Sequence, residues 1–125
     1  MSNVIVPLHA IAHARTGDKG NRINCAVIAY APEAFPVLLA EVTEARIASL
    51  FAHRRPSRVV RHELPKLHAL NLVIDDVLEG GVNGSLGLDG HGKTLSFLVL
   101  SLTVRVPAPV LAAVRAAIGA RRLSV

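Results

Sequence analysis

Three short polar segments hold the residues whose types and spacing could do chemistry. The first is TGDKG, residues 16 to 20. Gly17 and Gly20 admit positive φ and close backbone approach. Lys19, with Arg15 and Arg22 nearby, supplies positive charge, and Asp18 can cap local amides or orient Lys19. A loop of this kind between two apolar strands can hold a phosphate or a carboxylate. The plainer reading is a tight hairpin whose charges are solvated. The second segment is LHALN, residues 67 to 71, in which His68 is a candidate general base and Asn71 can donate to a carbonyl oxygen. The third is GLDGHGKT, residues 87 to 94, which fits the phosphate-cradling pattern G-x-x-x-x-G-K-[ST] letter for letter.

That last match lacks its context. A phosphate-binding loop of this class follows a strand and opens a helix, whose N-terminus and loop amides hold the phosphates. Here EGGVNGSL precedes the pattern, which is no packed strand, and β-forming residues follow it. Only 31 residues remain beyond Thr94, too few for the rest of a nucleotide-binding sheet. Nucleotide binding is therefore not expected. The loop amides with Lys93 can still bind a simpler anion, and the plain alternative is a glycine turn.

Other chemistries find less support. Cys25 is the single cysteine and sits inside the apolar run INCAVIAY, so it reads as an inert core thiol. No serine is placed as a nucleophile. The histidines at 9, 13, 53, 62, 68 and 91 show no zinc-site spacing once residues 4 to 13 are taken as a strand. No metal is expected.

The elements that must position these segments follow from periodicity. Val4 to His13 reads as a buried strand, ARTGDKGNR as a polar turn, and Ile23 to Tyr30 as a second strand. Pro32 opens a helical stretch with Phe35, Leu38, Leu39 and Val42 at helix spacing. Thr43 is a fresh N-cap for EARIASLFAHR, which places Ile47, Leu50 and Phe51 on one face. Arg58 to Leu64 and His68 to Val77 read as strands, the latter with enough apolar density to suit a helix as well. Residues 78 to 93 carry six of the nine glycines and must be loop. Leu95 to Val106 alternates and reads as a strand; Pro107 and Pro109 then introduce a C-terminal helix. The pattern describes one α+β domain over residues 1 to 125, with helices covering one face of a sheet.

Composition bounds the function. Hydrophobic residues make up 51% and aromatics 3%, so the core is aliphatic. That surplus suggests a buried subunit interface, against copies of the chain or a different chain; a homo-oligomer is expected. No apolar run reaches the roughly 18 residues of a membrane span, and MSNVIVPLHA lacks the pattern of a signal peptide. A cytoplasmic, non-membrane protein is expected. The net charge of +5 comes from scattered arginines without interleaved aromatics, which argues against nucleic acid and leaves an anionic small molecule or an acidic partner.

Taken in order, HARTGDKGNRINCAVIAY, TEARIASLF, VRHELPKLHALNLV and LDGHGKTL resemble the C-terminal domain of the acyclic-terpene-utilisation protein A (AtuA) family, over about residues 6 to 106. Thr16, Asn21 and Lys66 stand where that family is expected to have Ser, Asp and Asn. The resemblance implies a ferredoxin-like sandwich, one mainly antiparallel sheet with helices packed on one face; the lone cysteine excludes an iron–sulfur cluster ligated by this chain. It implies a small subunit or companion of a large AtuA-type chain in acyl-CoA, terpenoid or branched-acid catabolism, in a hydratase- or lyase-like complex. It leaves open a non-enzymatic self-associating module and an independent homo-oligomeric enzyme. No cofactor is implied; a coenzyme A thioester would be substrate. The motif positions carried over are Arg15, Gly17, Asp18, Lys19, Gly20, His68, Asn71, Asp89, Gly92 and Lys93. Asp18 and His68 are the proton-transfer candidates, and the others are expected to bind ligand.

Overall fold

A computed structural model describes residues 3–19, 22–52, 56–75 and 96–123. Its strands are β1 (Asn3–Pro7), β2 (Ala12–Lys19), β3 (Arg22–Ala29), β4 (Arg58–Leu64), β5 (Ala69–Asp75) and β6 (Thr103–Pro107). Its helices are α1 (Phe35–Glu41), α2 (Glu44–Leu50), α3 (residues 96–100) and α4 (Ala108–Leu123). The strands form two antiparallel sheets rather than one. A four-stranded sheet has the order β2-β3-β5-β4, and a two-stranded sheet joins β1 to β6. The class is α+β, with α1 and α2 packed on the four-stranded sheet.

The split falls where a single strand was expected over 4 to 13. Pro7 has no amide to continue a ladder, and Leu8–Ala10 form one 3-10 turn. The chain thus leaves one sheet and enters the other. The polar segment 14 to 22 is mostly strand, because β2 pairs with β3 from Ala12↔Ala29 down to Lys19↔Arg22.

The largest departure is at 95 to 106. Residues 96–100 are helical, and only 103–107 form strand. Partners explain it. β1 offers only Asn3 to Pro7 for pairing, matched to Pro107 back to Thr103. An unpartnered strand leaves its backbone groups unpaired, whereas a helix satisfies its own. Helical spacing then buries Val99 and Leu102 and leaves Phe97 exposed.

Thr43 caps α2 as expected, its Oγ1 accepting from the Arg46 amide at 3.2 Å. The core is aliphatic around one aromatic ring: Leu8, Ile11, Leu38, Ile47, Leu70, Leu72 and Phe51 are fully buried. Each such side chain contributes about 1.5–3 kcal/mol. Among the described residues no polar or charged side chain is buried. Whatever chemistry those residues support therefore belongs to the surface.

Two arginines tie helices to strands. Arg61 of β4 donates to the Leu39 and Val42 carbonyls at 2.8 and 2.9 Å, at the C-terminal end of α1. Arg46 of α2 donates to the Glu41 carbonyl at 3.1 Å and the Thr103 carbonyl at 2.7 Å.

Candidate functional site

Alternation along the four-stranded sheet sorts its residues onto two faces. On β3, Ile23, Cys25, Val27 and Ala29 are buried, while Arg22 and Asn24 are exposed and Ala26 and Ile28 half-buried. The buried set continues on β5 as Leu70, Leu72 and Ile74. Arg61, on the same side of β4, reaches the helices. The other set faces away from α1 and α2.

Register arranges that outer face in four rows. Lys19, Arg22, Asp75 and Arg58 occupy the first row of positions; Gly17, Asn24, Val73 and Val60 follow. Next come Arg15, Ala26, Asn71 and His62, then His13, Ile28, Ala69 and Leu64. Successive rows lie about 7 Å apart along the strands, so the array spans roughly 20 Å. One end is rich in cations and the other in apolar side chains.

Asp75 is the acid of this array. Arg22 holds it through two guanidinium contacts, at 2.5 and 3.3 Å. That hydrogen bonding keeps the carboxyl below its ordinary 3.8; partial burial opposes it, and the charges of Arg22 and Arg58 add to it. Arg15, Arg58 and His62 are exposed on the same face, and Asn71 is half-buried among them.

Gly17 is extended, so positive φ is not its use. A Cβ there would stand 3.1 Å from Asn24 Oδ1. The glycine gives the Asn24 side chain room to lie across β2.

His68 lies elsewhere. It takes φ 51° and ψ 48° at the end of the Pro65–Leu67 turn, the only non-glycine with positive φ among the described residues. Its carbonyl accepts from the Ala29 amide at 3.0 Å, and its ring meets Phe35 edge-on at 6.0 Å. Asp18 pairs opposite Ile23, six residues away along β3. That is roughly 20 Å at strand rise. The two proton-transfer candidates therefore sit at opposite ends of the sheet. Arg15, Gly17 and Asn71 share the outer face, and Lys19 takes a register position in it. Gly20, Asp89, Gly92 and Lys93 lie outside the described residues, as does the glycine-rich pattern at 87 to 94.

Among the described residues, three open grooves lie around α2. They are lined by Arg46 with Leu50 and Leu102, by Arg46 with Ile5 and Arg105, and by Arg61 with Glu44. Both arginines already hold backbone carbonyls, so these grooves read as joints between helix and strand. Among the described residues no three His, Cys, Asp or Glu side chains gather as a metal would require.

The model of the AtuA ferredoxin-like domain matches residues 6–105. The chain belongs to that family. No curated protein and no solved structure matches it. The AtuA-type match covers both described sheets except the chain ends, and it takes in Arg15, Gly17, His68 and Asn71 alike. Residues of this domain's outer face that the sequence reading did not single out as site candidates include Asn24, Arg58, His62 and Asp75. A period-2 signal exists for the first three. In RVVRHEL, Arg58 and His62 share one parity, and in INCAVIAY, Asn24 shares parity with Ala26 and Ile28.

Proposed function

We propose that this AtuA-type domain is the small subunit or companion of a larger AtuA-type chain in acyl-CoA, terpenoid or branched-acid catabolism. Its part is to bind the anionic end of an acyl-CoA on the outer face of the four-stranded sheet. One observation carries this reading: the first row of that face is mostly cationic, with Asp75 among its arginines, and the last row is mostly apolar. Arg22, Arg58 and the position of Lys19 stand at one end, and Ile28 and Leu64 at the other. Coenzyme A thioesters have the same grading, phosphates at one end and an acyl chain at the other. Arg15 and Asn71 stand between, where a carbonyl or pantetheine amide would lie. Catalysis by Asp18 and His68 acting together finds no support within one chain, given their separation along β3. Each would have to act with other groups.

Thermal unfolding with added coenzyme A and a short-chain acyl-CoA tests the reading. A ligand at about a hundred times its Kd stabilises by about 2.7 kcal/mol. Both ligands should raise Tm, the acyl form more. Arg15→Ala and Lys19→Ala should each reduce the shift. Unchanged shifts in both variants, or no shift in the parent protein, would sink the proposal.

A further inference from the structure

Four strand edges bound the two sheets, and they are not treated alike. At β4, the outward amide of Arg61 donates to Glu44 at 2.8 Å. At β6, the Arg105 amide donates to Glu41 at 2.6 Å, and the Thr103 carbonyl accepts from Arg46 at 2.7 Å. The sequence of β2 includes Arg15, Asp18 and Lys19, and charge is a common guard of an edge. β1 has neither device. Its sequence is NVIVP, without a charge, and Ile5 is 66% exposed.

The backbone of β1 is poised outward. Arg105 and Thr103 aim their groups away from β1, so their partners Ile5 and Pro7 are the non-hydrogen-bonded positions of that ladder. The Leu8 amide, bonded to the Leu102 carbonyl at 2.7 Å, gives the same parity from the other side. Ile5 N–H and C=O therefore face off the sheet, with those of Asn3 and the Pro7 carbonyl. Among the described residues no group meets them.

We propose that β1 is the pairing edge for a second copy of this chain. Two β1 strands run antiparallel about a two-fold axis at Ile5. Each Ile5 exchanges both backbone bonds with its copy, and each Asn3 amide meets the other copy's Pro7 carbonyl. The pairing is isologous, as a two-fold contact requires. It turns two marginal two-stranded ribbons into one four-stranded sheet. A copy is favoured as occupant because β1 is uncharged and, about Ile5, sets Val4, Ile5 and Val6 against Val6, Ile5 and Val4 of the copy; of the outward groups only the Asn3 carbonyl, opposite Pro7, gains no partner. The cationic outer face of the larger sheet would repel its own copy. None of this rests on the acyl-CoA reading, which concerns other residues.

Cysteine cross-linking of the full chain tests the contact. In the antiparallel pair the two Ile5 Cα atoms lie about 5.5 Å apart, within the roughly 4.4–6.8 Å that a disulfide spans. Leu67 and Phe97 are as exposed as Ile5, at 66% and 69%, and serve as controls. Burial pushes the native Cys25 thiol up to about 12, which keeps it out of the exchange. Under mild oxidation Ile5→Cys should cross-link at least about ten times faster than Leu67→Cys or Phe97→Cys. The parent protein should sediment at twice 13.2 kDa, and Ile5→Lys, folded by circular dichroism, at the single mass. Arg15→Ala should leave the cross-link unchanged. Equal rates for the three cysteine variants, or a parent protein that stays monomeric at high micromolar concentration, would overturn the proposal.

Discussion

Asp75 shows how a residue's chemistry depends on its cross-strand neighbours. In sequence it ends the run LNLVID and reads as an acid at a strand end. In the sheet it meets Arg22, 53 residues earlier, because β3 and β5 are adjacent. The pairing favours the ionised carboxyl in the folded state, so its folded pKa lies below the ordinary 3.8. The sign follows from linkage. Stability from the pair is fully present above 3.8 and is lost as pH falls through the lower folded value. Both groups are partly solvated, so the effect is modest. Urea unfolding of the parent and Asp75→Asn should differ at neutral pH, with the parent more stable. The difference should vanish in acid. A constant difference down to low pH would show that the charge pair contributes nothing.

His68 is the opposite case, a residue set apart by its backbone. Left-handed conformation costs a non-glycine about 1 kcal/mol, although histidine adopts it more readily than most. The Pro65–Leu67 turn imposes it, ending the chain reversal from β4 into β5. Its motif membership therefore has a structural account that needs no proton transfer.

At the scale of elements, arginine side chains hold helix ends to strands. Arg61 is 19% exposed at its side chain and satisfies two carbonyls at the C-terminal end of α1. Positive charge at that end also suits the helix dipole. Hydrogen bonds from charged donors contribute about 1.5–3 kcal/mol, so Arg61→Ala should destabilise by about 2 kcal/mol after allowance for solvent. Arg61→Lys should recover only part of this, because an ammonium cannot reproduce the two-carbonyl fork. Chemical denaturation of both variants measures it. An alanine variant as stable as the parent would mean that α1 is held by packing alone.

Helix α3 carries the element-scale lesson. SFLVL is compatible with strand or helix, since short apolar runs do not separate the two by period. Its neighbours decide. β6 takes the positions that β1 can pair, and the residues before them must satisfy their own backbone.

For the molecule as a whole, the family and the fold class agree: an α+β AtuA-type domain whose larger sheet has one face under helices. The outer face is where we propose that ligand binds. Expression of a tagged copy in the native host should recover an AtuA-type large chain in fixed ratio. Recovery of copies of the tagged chain alone would assign its partners to itself and remove the companion reading. No described helix is long and apolar enough to cross a membrane.

What the sequence alone determined is what local rules govern. Strand β4 over Arg58 to Leu64, the Thr43 cap of α2, the proline-led α4 and the aliphatic core follow from spacing and turn chemistry over a few residues. The buried thiol of Cys25 does too. The candidate site was legible only in part: the sequence offered Arg15, Gly17 and Asn71 as candidates, but not that Arg58, His62 and Asn24 share a sheet face with them. Nor could the sequence show that Asp18 and His68 stand at opposite ends of one sheet. Those facts depend on which strands pair and in what register. Pairing is a contest between segments far apart in the chain, settled by the shared burial of one face, and no window of neighbouring residues contains it. The same contest made two sheets of one, turned residues 96–100 to helix, and left β1 the one described edge with neither a charge nor a cap.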